Sequence, residues 1–123
     1  MQRQIAWSHT VTGKPFAYEG DLSGGLVVYP TKWDDWTQLS GGRVPIPAEG
    51  IRFIRGEIRR ARLIAMGACR DNPARGSLGD KLRQIRKPAQ WLSYVIPLLR
   101  EAGFCDASKQ GKGKAYIVRY TGP

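Results

Sequence analysis

The stretch Ser77-Leu78-Gly79-Asp80-Lys81-Leu82-Arg83-Gln84-Ile85-Arg86-Lys87-Pro88-Ala89-Gln90-Trp91-Leu92-Ser93-Tyr94-Val95-Ile96-Pro97-Leu98-Leu99-Arg100-Glu101-Ala102-Gly103-Phe104 carries most of the fold information in this chain. Ser77 and Asp80 have capping-box spacing, which predicts a short helix from Leu78 to about Ile85 with Leu78, Leu82 and Ile85 as its buried stripe. Arg86-Lys87 reads as a turn. Pro88 suits the first position of a further helix, where its missing N–H costs nothing. Trp91, Leu92, Val95, Leu98, Leu99 and Ala102 form the apolar face of that helix, and Gly103 stops it. Pro97 removes one hydrogen bond and is predicted to kink the helix on its outer face, among polar neighbours.

Downstream, Phe104 to Ser108 and Ala115 to Tyr120 read as two strands of a hairpin, with Tyr116, Val118 and Tyr120 on one face. The tip between them, Lys109-Gln110-Gly111-Lys112-Gly113-Lys114, is basic and has no apolar anchor. Upstream, Ile51, Ile54, Ile58, Ala61, Ala65 and Ala68 recur at three- and four-residue steps, which predicts a helix from about Ala48 to Cys69. Gly56 and Gly67 weaken it by up to ~1 kcal/mol each. Asp71-Asn72-Pro73 ends it.

The first 48 residues read as strands and turns. Arg3 to Val11 alternates loosely, Thr12-Gly13-Lys14-Pro15 is a turn, and Phe16 to Tyr18 is a partner strand. Leu26-Val27-Val28-Tyr29 reads as a buried strand ended by Pro30. Thr31 and Asp34 again have capping-box spacing, so Lys32 to Leu39 is predicted as a short helix.

The order helix, short helix, tight turn, helix, hairpin with a basic tip resembles the winged helix-turn-helix superfamily over about residues 48–121. Leu98-Leu99-Arg100-Glu101-Ala102-Gly103-Phe104, closing a helix before a strand, is similar to many such domains. The resemblance implies an α+β fold: three helices plus a β-hairpin wing over residues 48–123, with a short β-rich extension, residues 1–47, packed on it. It also implies that the third helix reads base edges and that the hairpin is the wing. Gln90 is then placed to pair with adenine and Ser93 with either partner of a base pair, with Tyr94 at the flank. Arg86 and Lys87 suit phosphates, and the wing lysines Lys109, Lys112 and Lys114 an adjacent groove or backbone.

The charge supports a polyanionic partner independently. The chain of 123 residues carries twenty Lys and Arg against ten Asp and Glu, a net charge of +10 with a pI near 10.1. Residues 1–48 sum to zero, so all of the excess lies in residues 49–123, with sixteen basic and six acidic side chains. Arg52, Arg55, Arg59 and Arg62 recur at helical spacing within an arc of about 80°. Solvated faces normally mix signs, and only Glu57 interrupts this run. The expected function is therefore non-catalytic nucleic-acid binding, to duplex DNA before RNA, in regulation of transcription or replication.

Other chemistry is weighed against that reading. A hydrophobic content of 41% and 24% charged residues fit an ordinary globular domain. No apolar run reaches the ~18 residues of a membrane helix. The first residues lack the apolar stretch of a signal peptide, so no membrane role and a cytoplasmic location are expected. Cys69, Cys105 and His9 do not have zinc-site spacing, and no metal or cofactor is expected. The cysteines read as reduced thiols. Gly111-Lys112-Gly113-Lys114 lacks the spacing of a phosphate-binding loop. The alternatives are a metal-dependent nuclease using Glu19, Asp21, Asp34 or Asp35, and an RNA- or ribosome-binding protein. Trp33 and Trp36 are expected to pack, Trp91 to be core, and residues 1–47 are a candidate contact for a protein partner.

Overall fold

A computed structural model describes residues 5–68, 73–109 and 116–122. Five strands come first: β1 (Ala6–His9), β2 (Pro15–Asp21), β3 (Gly25–Lys32), β4 (Asp35–Leu39) and β5 (Val44–Ile46). All pairings are antiparallel, in the order β1-β2-β3-β4, while β5 pairs with the first half of β3 through Leu26↔Ile46 and Val28↔Val44. Local chemistry sets the turns. The Asp21 carboxylate accepts from the Ser23 and Gly24 amides, closing the β2–β3 hairpin. Gly20, at φ +91, lies so close to the Gly25 carbonyl that a Cβ there would sit 2.2 Å from the oxygen.

Pro47 leads from β5 into α1 (Ala48–Ala61), whose Ile51, Ile54 and Ile58 are fully buried. β6 (Leu63–Ala65), α2 (Leu78–Gln84), a 3-10 turn (Ala89–Trp91), α3 (Leu92–Glu101), β7 (Cys105–Lys109) and β8 (Tyr116–Tyr120) follow. β6, β8 and β7 form a second antiparallel sheet, with β8 in the middle. The Ser77 side chain accepts from the Asp80 amide at the start of α2, as the capping spacing predicts. Among the described residues no helix is long and apolar enough to cross a membrane.

The expected fold class is corrected. Among the described residues the chain is mostly antiparallel β, with eight strands, a curled N-terminal sheet and three short helices, and is not a three-helix winged helix-turn-helix. The physical reason lies on α3. A helix that reads a groove must leave one face free, but Leu92, Val95, Ile96, Pro97, Leu98 and Leu99 are all buried. Pro97 is not on an outer face: it is buried, and His9, Thr10 and Val11 line the same cleft. The buried Ser8 hydroxyl of β1 donates to Glu101 at 2.6 Å, and the Phe16 ring of β2 meets Tyr94 edge-on at 5.0 Å. The N-terminal sheet therefore covers α3. Its Phe16, Leu26, Val28 and Ile46 join Ile51, Ile54, Leu92 and Val118 in one hydrophobic cluster.

Two element predictions also change. Lys32–Leu39 is not a helix: Lys32 pairs with Asp35 across a Trp33-Asp34 tip, and Thr31 pairs with Leu39. Asp35 rather than Asp34 does the capping, accepting from the Thr37 amide and hydroxyl, so strand pairing overrides a local helix signal. The helix predicted to reach Cys69 ends at Ala61, because Arg62 turns to φ 67 and Leu63–Ala65 pair with β8.

Candidate nucleic-acid interface

The isoleucine stripe that sinks α1 into the core turns Arg52 and Arg59 outward, with Arg55 half-buried beside them. Arg62 follows at the helix end, where its amide donates to the Ile58 carbonyl and its carbonyl accepts from the Tyr120 amide, both at 2.8 Å. Two aromatic rings hold the middle of this stripe. The Arg55 guanidinium stands 5.0 Å from the Phe104 ring centroid, and that of Arg59 stands 5.4 Å from Phe104 and 5.9 Å from Tyr120. The rings themselves meet edge-on at 5.2 Å. Each such contact is worth ~0.5–1 kcal/mol at an exposed site and limits the freedom of the guanidinium.

Three other cations are neutralised locally. Glu57 takes both Arg60, at 2.8 Å, and Lys81, at 3.7 Å, while Asp106 takes Arg100 at 3.2 Å. Among the described residues no carboxylate pairs with Arg52, Arg55, Arg59 or Arg62. The stripe is an oriented row of positive charge without a counter-charge among the described residues.

A second basic group surrounds the end of α2. Arg83, Arg86, Lys87 and Gln90 line a concavity of about 410 Å³ with Pro88 and Ala89. The Lys87 amide donates to the Leu82 carbonyl and the Arg86 amide to the Arg83 carbonyl, a Schellman closure in which Arg86 occupies the left-handed position at φ 62. Glycine normally fills that position. Arg62 and Arg86 are the two non-glycine residues at positive φ among the described residues. A left-handed conformation costs an L-residue ~1–2 kcal/mol. The helix dipole returns ~0.3–1 kcal/mol for a cation at the C-terminus, which offsets that cost only in part.

The remaining candidate residues are dispersed. Ser93 and Tyr94 do not project outward for base reading. They line a mostly apolar cleft of about 500 Å³, with Thr10, Thr12, Lys14 and Tyr116, between α3 and the N-terminal sheet. Burial there pushes the Tyr94 hydroxyl up from its ordinary pKa. Lys109 is exposed at the end of β7. Lys112, Lys114 and Cys69 lie outside the described residues.

The acidic residues serve local structure. Glu19 accepts the Tyr29 hydroxyl, Asp21 and Asp35 hold turns, and Asp34 is exposed at a hairpin tip. Amide and hydroxyl donors hold the Asp21 and Asp35 carboxyls below the ordinary carboxylate range: for Asp21 the Gly24 amide leads, for Asp35 the Thr37 hydroxyl. No group of three His, Cys, Asp or Glu among the described residues is arranged to hold a metal ion. Trp91 is core, as expected, but Trp33 is 86% and Trp36 48% exposed rather than packed.

Sequence reasoning identified the arginine stripe from periodicity but missed Phe104 and Tyr120, its ring partners. Both read as strand residues, and no local pattern links them to residues 55 and 59. Arg83 was likewise missed, although its closeness to Arg86-Lys87 was a usable signal. Comparison with protein-family models, curated proteins and solved structures finds no match to this chain.

Proposed function

We propose that this chain is a nucleic-acid-binding protein that acts by binding rather than cleavage, contacting the backbone of duplex DNA through the α1 arginines. The observation that carries the reading is the row Arg52, Arg55, Arg59 and Arg62, which lacks carboxylate partners among the described residues and is braced by Phe104 and Tyr120. At 1.5 Å per residue Arg52 to Arg59 span about 10 Å of helix, with Arg62 at the turn that ends it, against one phosphate charge per ~1.7 Å of duplex axis. Guanidinium forks suit phosphate oxygens, and a surface of this kind reads the backbone rather than the base sequence. Contacts of this type give affinity and salt dependence and leave selectivity to shape.

The test is binding to a labelled random-sequence duplex at low salt with magnesium present, with structured RNA as competitor and the DNA checked afterwards. The expected result is a complex with intact DNA that excess RNA does not displace preferentially. RNA displacing the duplex at equal concentration overturns the DNA assignment. Magnesium-dependent cleavage lost in Asp34→Ala or Asp21→Ala overturns the binding-only reading. No binding at low salt overturns both.

A further inference from the structure

We infer that the concavity at the end of α2 is a phosphate-monoester site that, in the setting of the proposed function and resting on it, takes the terminal phosphate of a nucleic-acid strand. Arg86 and Lys87 bring two cationic residues to one depression, and Gln90 adds an amide able to donate or accept. A phosphate monoester carries about −1.5 to −2 charges and three strong acceptor oxygens, which matches that donor set better than a singly charged diester does. A concave site also suits a chain end, whereas the α1 arginines lie on the outer surface of a helix and suit a continuous backbone.

The backbone supplies the second observation. Arg86 is held at φ 62 in a Schellman closure where glycine would be unstrained, and it lines the concavity. A residue kept in a costly conformation at the rim of a site is most simply retained for what its side chain does there. Lys87 follows directly, its amide fixed by the Leu82 carbonyl at 2.9 Å, so the two cations are presented from a rigid turn.

The experiment compares the intact chain with Arg86→Gly and Lys87→Gln in chloride buffer free of sulfate. Three probes are used: inorganic phosphate, followed by amide NMR at Lys87 and Gln90, a 5′-phosphorylated duplex, and the same duplex ending in 5′-hydroxyl groups. The expected result is that inorganic phosphate shifts both signals and that the 5′-phosphate strengthens duplex binding about tenfold, the effect of one or two charge-assisted hydrogen bonds. Arg86→Gly relieves the left-handed strain, so its melting temperature should rise while both phosphate effects disappear; Lys87→Gln should weaken both. A merely structural Arg86 would give the rise in stability with phosphate binding intact, which overturns the site. Phosphate shifts without any 5′-phosphate preference would mean that the pocket takes a free phosphate and would overturn the strand-end assignment. Phosphate shifts without binding of either duplex would uphold the anion pocket and defeat the nucleic-acid reading on which the strand end rests. Equal duplex affinities with no phosphate shift would defeat the pocket alone.

Discussion

The Arg59 guanidinium lies over two rings at once, 5.4 Å from the centroid of Phe104 and 5.9 Å from that of Tyr120. This ties the basic face of α1 to the second sheet and fixes where its charge points. Replacing Arg59 by Lys keeps the charge but loses the planar fork and the stacking. Arg59→Lys and Tyr120→Leu should each lower duplex affinity about two- to fivefold, the equivalent of ~0.5–1 kcal/mol. Neither should change the salt dependence, because the charge count is unchanged. Fluorescence anisotropy at several salt concentrations checks both statements.

Gly79 packs against Gly67 so closely that a Cβ on Gly79 would sit 1.7 Å from the Gly67 carbonyl oxygen, while the Gly79 amide donates to the Met66 carbonyl at 3.0 Å. Backbone cannot step aside as a side-chain tip can. Gly79→Ala should therefore destabilise the fold by about 3 kcal/mol or more. Gly56, in the interior of α1 with nothing within 4 Å of its would-be Cβ, should behave oppositely. Gly56→Ala should stabilise by ~0.5–1 kcal/mol. Urea unfolding of the two variants measures the contrast.

Asp21 has its carboxyl held below its ordinary pKa of 3.8 by the Gly24 amide first, then the Ser23 hydroxyl and amide. A depressed folded-state pKa means that the unfolded chain binds the proton first as pH falls. The resulting stability is fully present above pH ~4 and is lost as pH drops through the lower folded-state value. Asp21→Ala should accordingly flatten the acid limb of melting temperature against pH while leaving the shape near neutrality unchanged.

Cys105 is buried, and desolvation first, then the neighbouring Asp106 charge, pushes its thiol up to about 11. The thiolate is the reactive form, so the folded protein should resist alkylation at pH 8–9 and react fully once unfolded. The sign on stability is the reverse of that for Asp21. The unfolded thiol loses its proton near pH 8.5–9, so stability should decline as pH rises from about 9 towards 11. Thiol titration in a Cys69→Ser background, native against denatured, isolates this residue.

Local signals were readable in the sequence where neighbours in the chain decide the outcome. The Ser77–Asp80 cap, the buried Leu78 and Leu82 and the apolar run of α3 place helices where the structure has them, although Ile85, expected in the same stripe, is exposed past the end of α2. The failures are those of long-range pairing. Thr31 and Asp34 have helix-start spacing, but Thr31↔Leu39 strand pairing wins. Pro97 has polar sequence neighbours, yet β1 and its following turn cover it, because nothing local to α3 announces a sheet on its far side. The same omission hid the setting of Ser93 and Tyr94, which line a cleft beside the N-terminal sheet instead of a free helix face. The periodicity of Arg52, Arg55 and Arg59 was readable because it is a property of α1 alone, whereas Arg62 lies past the helix end and Phe104 and Tyr120 reach the row only through tertiary packing.

The most direct measurement is a salt titration of duplex binding by the wild-type chain and by a variant carrying Arg52→Gln, Arg55→Gln, Arg59→Gln and Arg62→Gln. Each phosphate contact contributes about −0.9 to the slope of log affinity against log salt. Four lost contacts should make the slope shallower by about 3 to 4 and weaken low-salt binding by orders of magnitude, with circular dichroism showing the fold retained. An unchanged slope and affinity in the folded variant would contradict the assignment of the α1 face as the nucleic-acid interface.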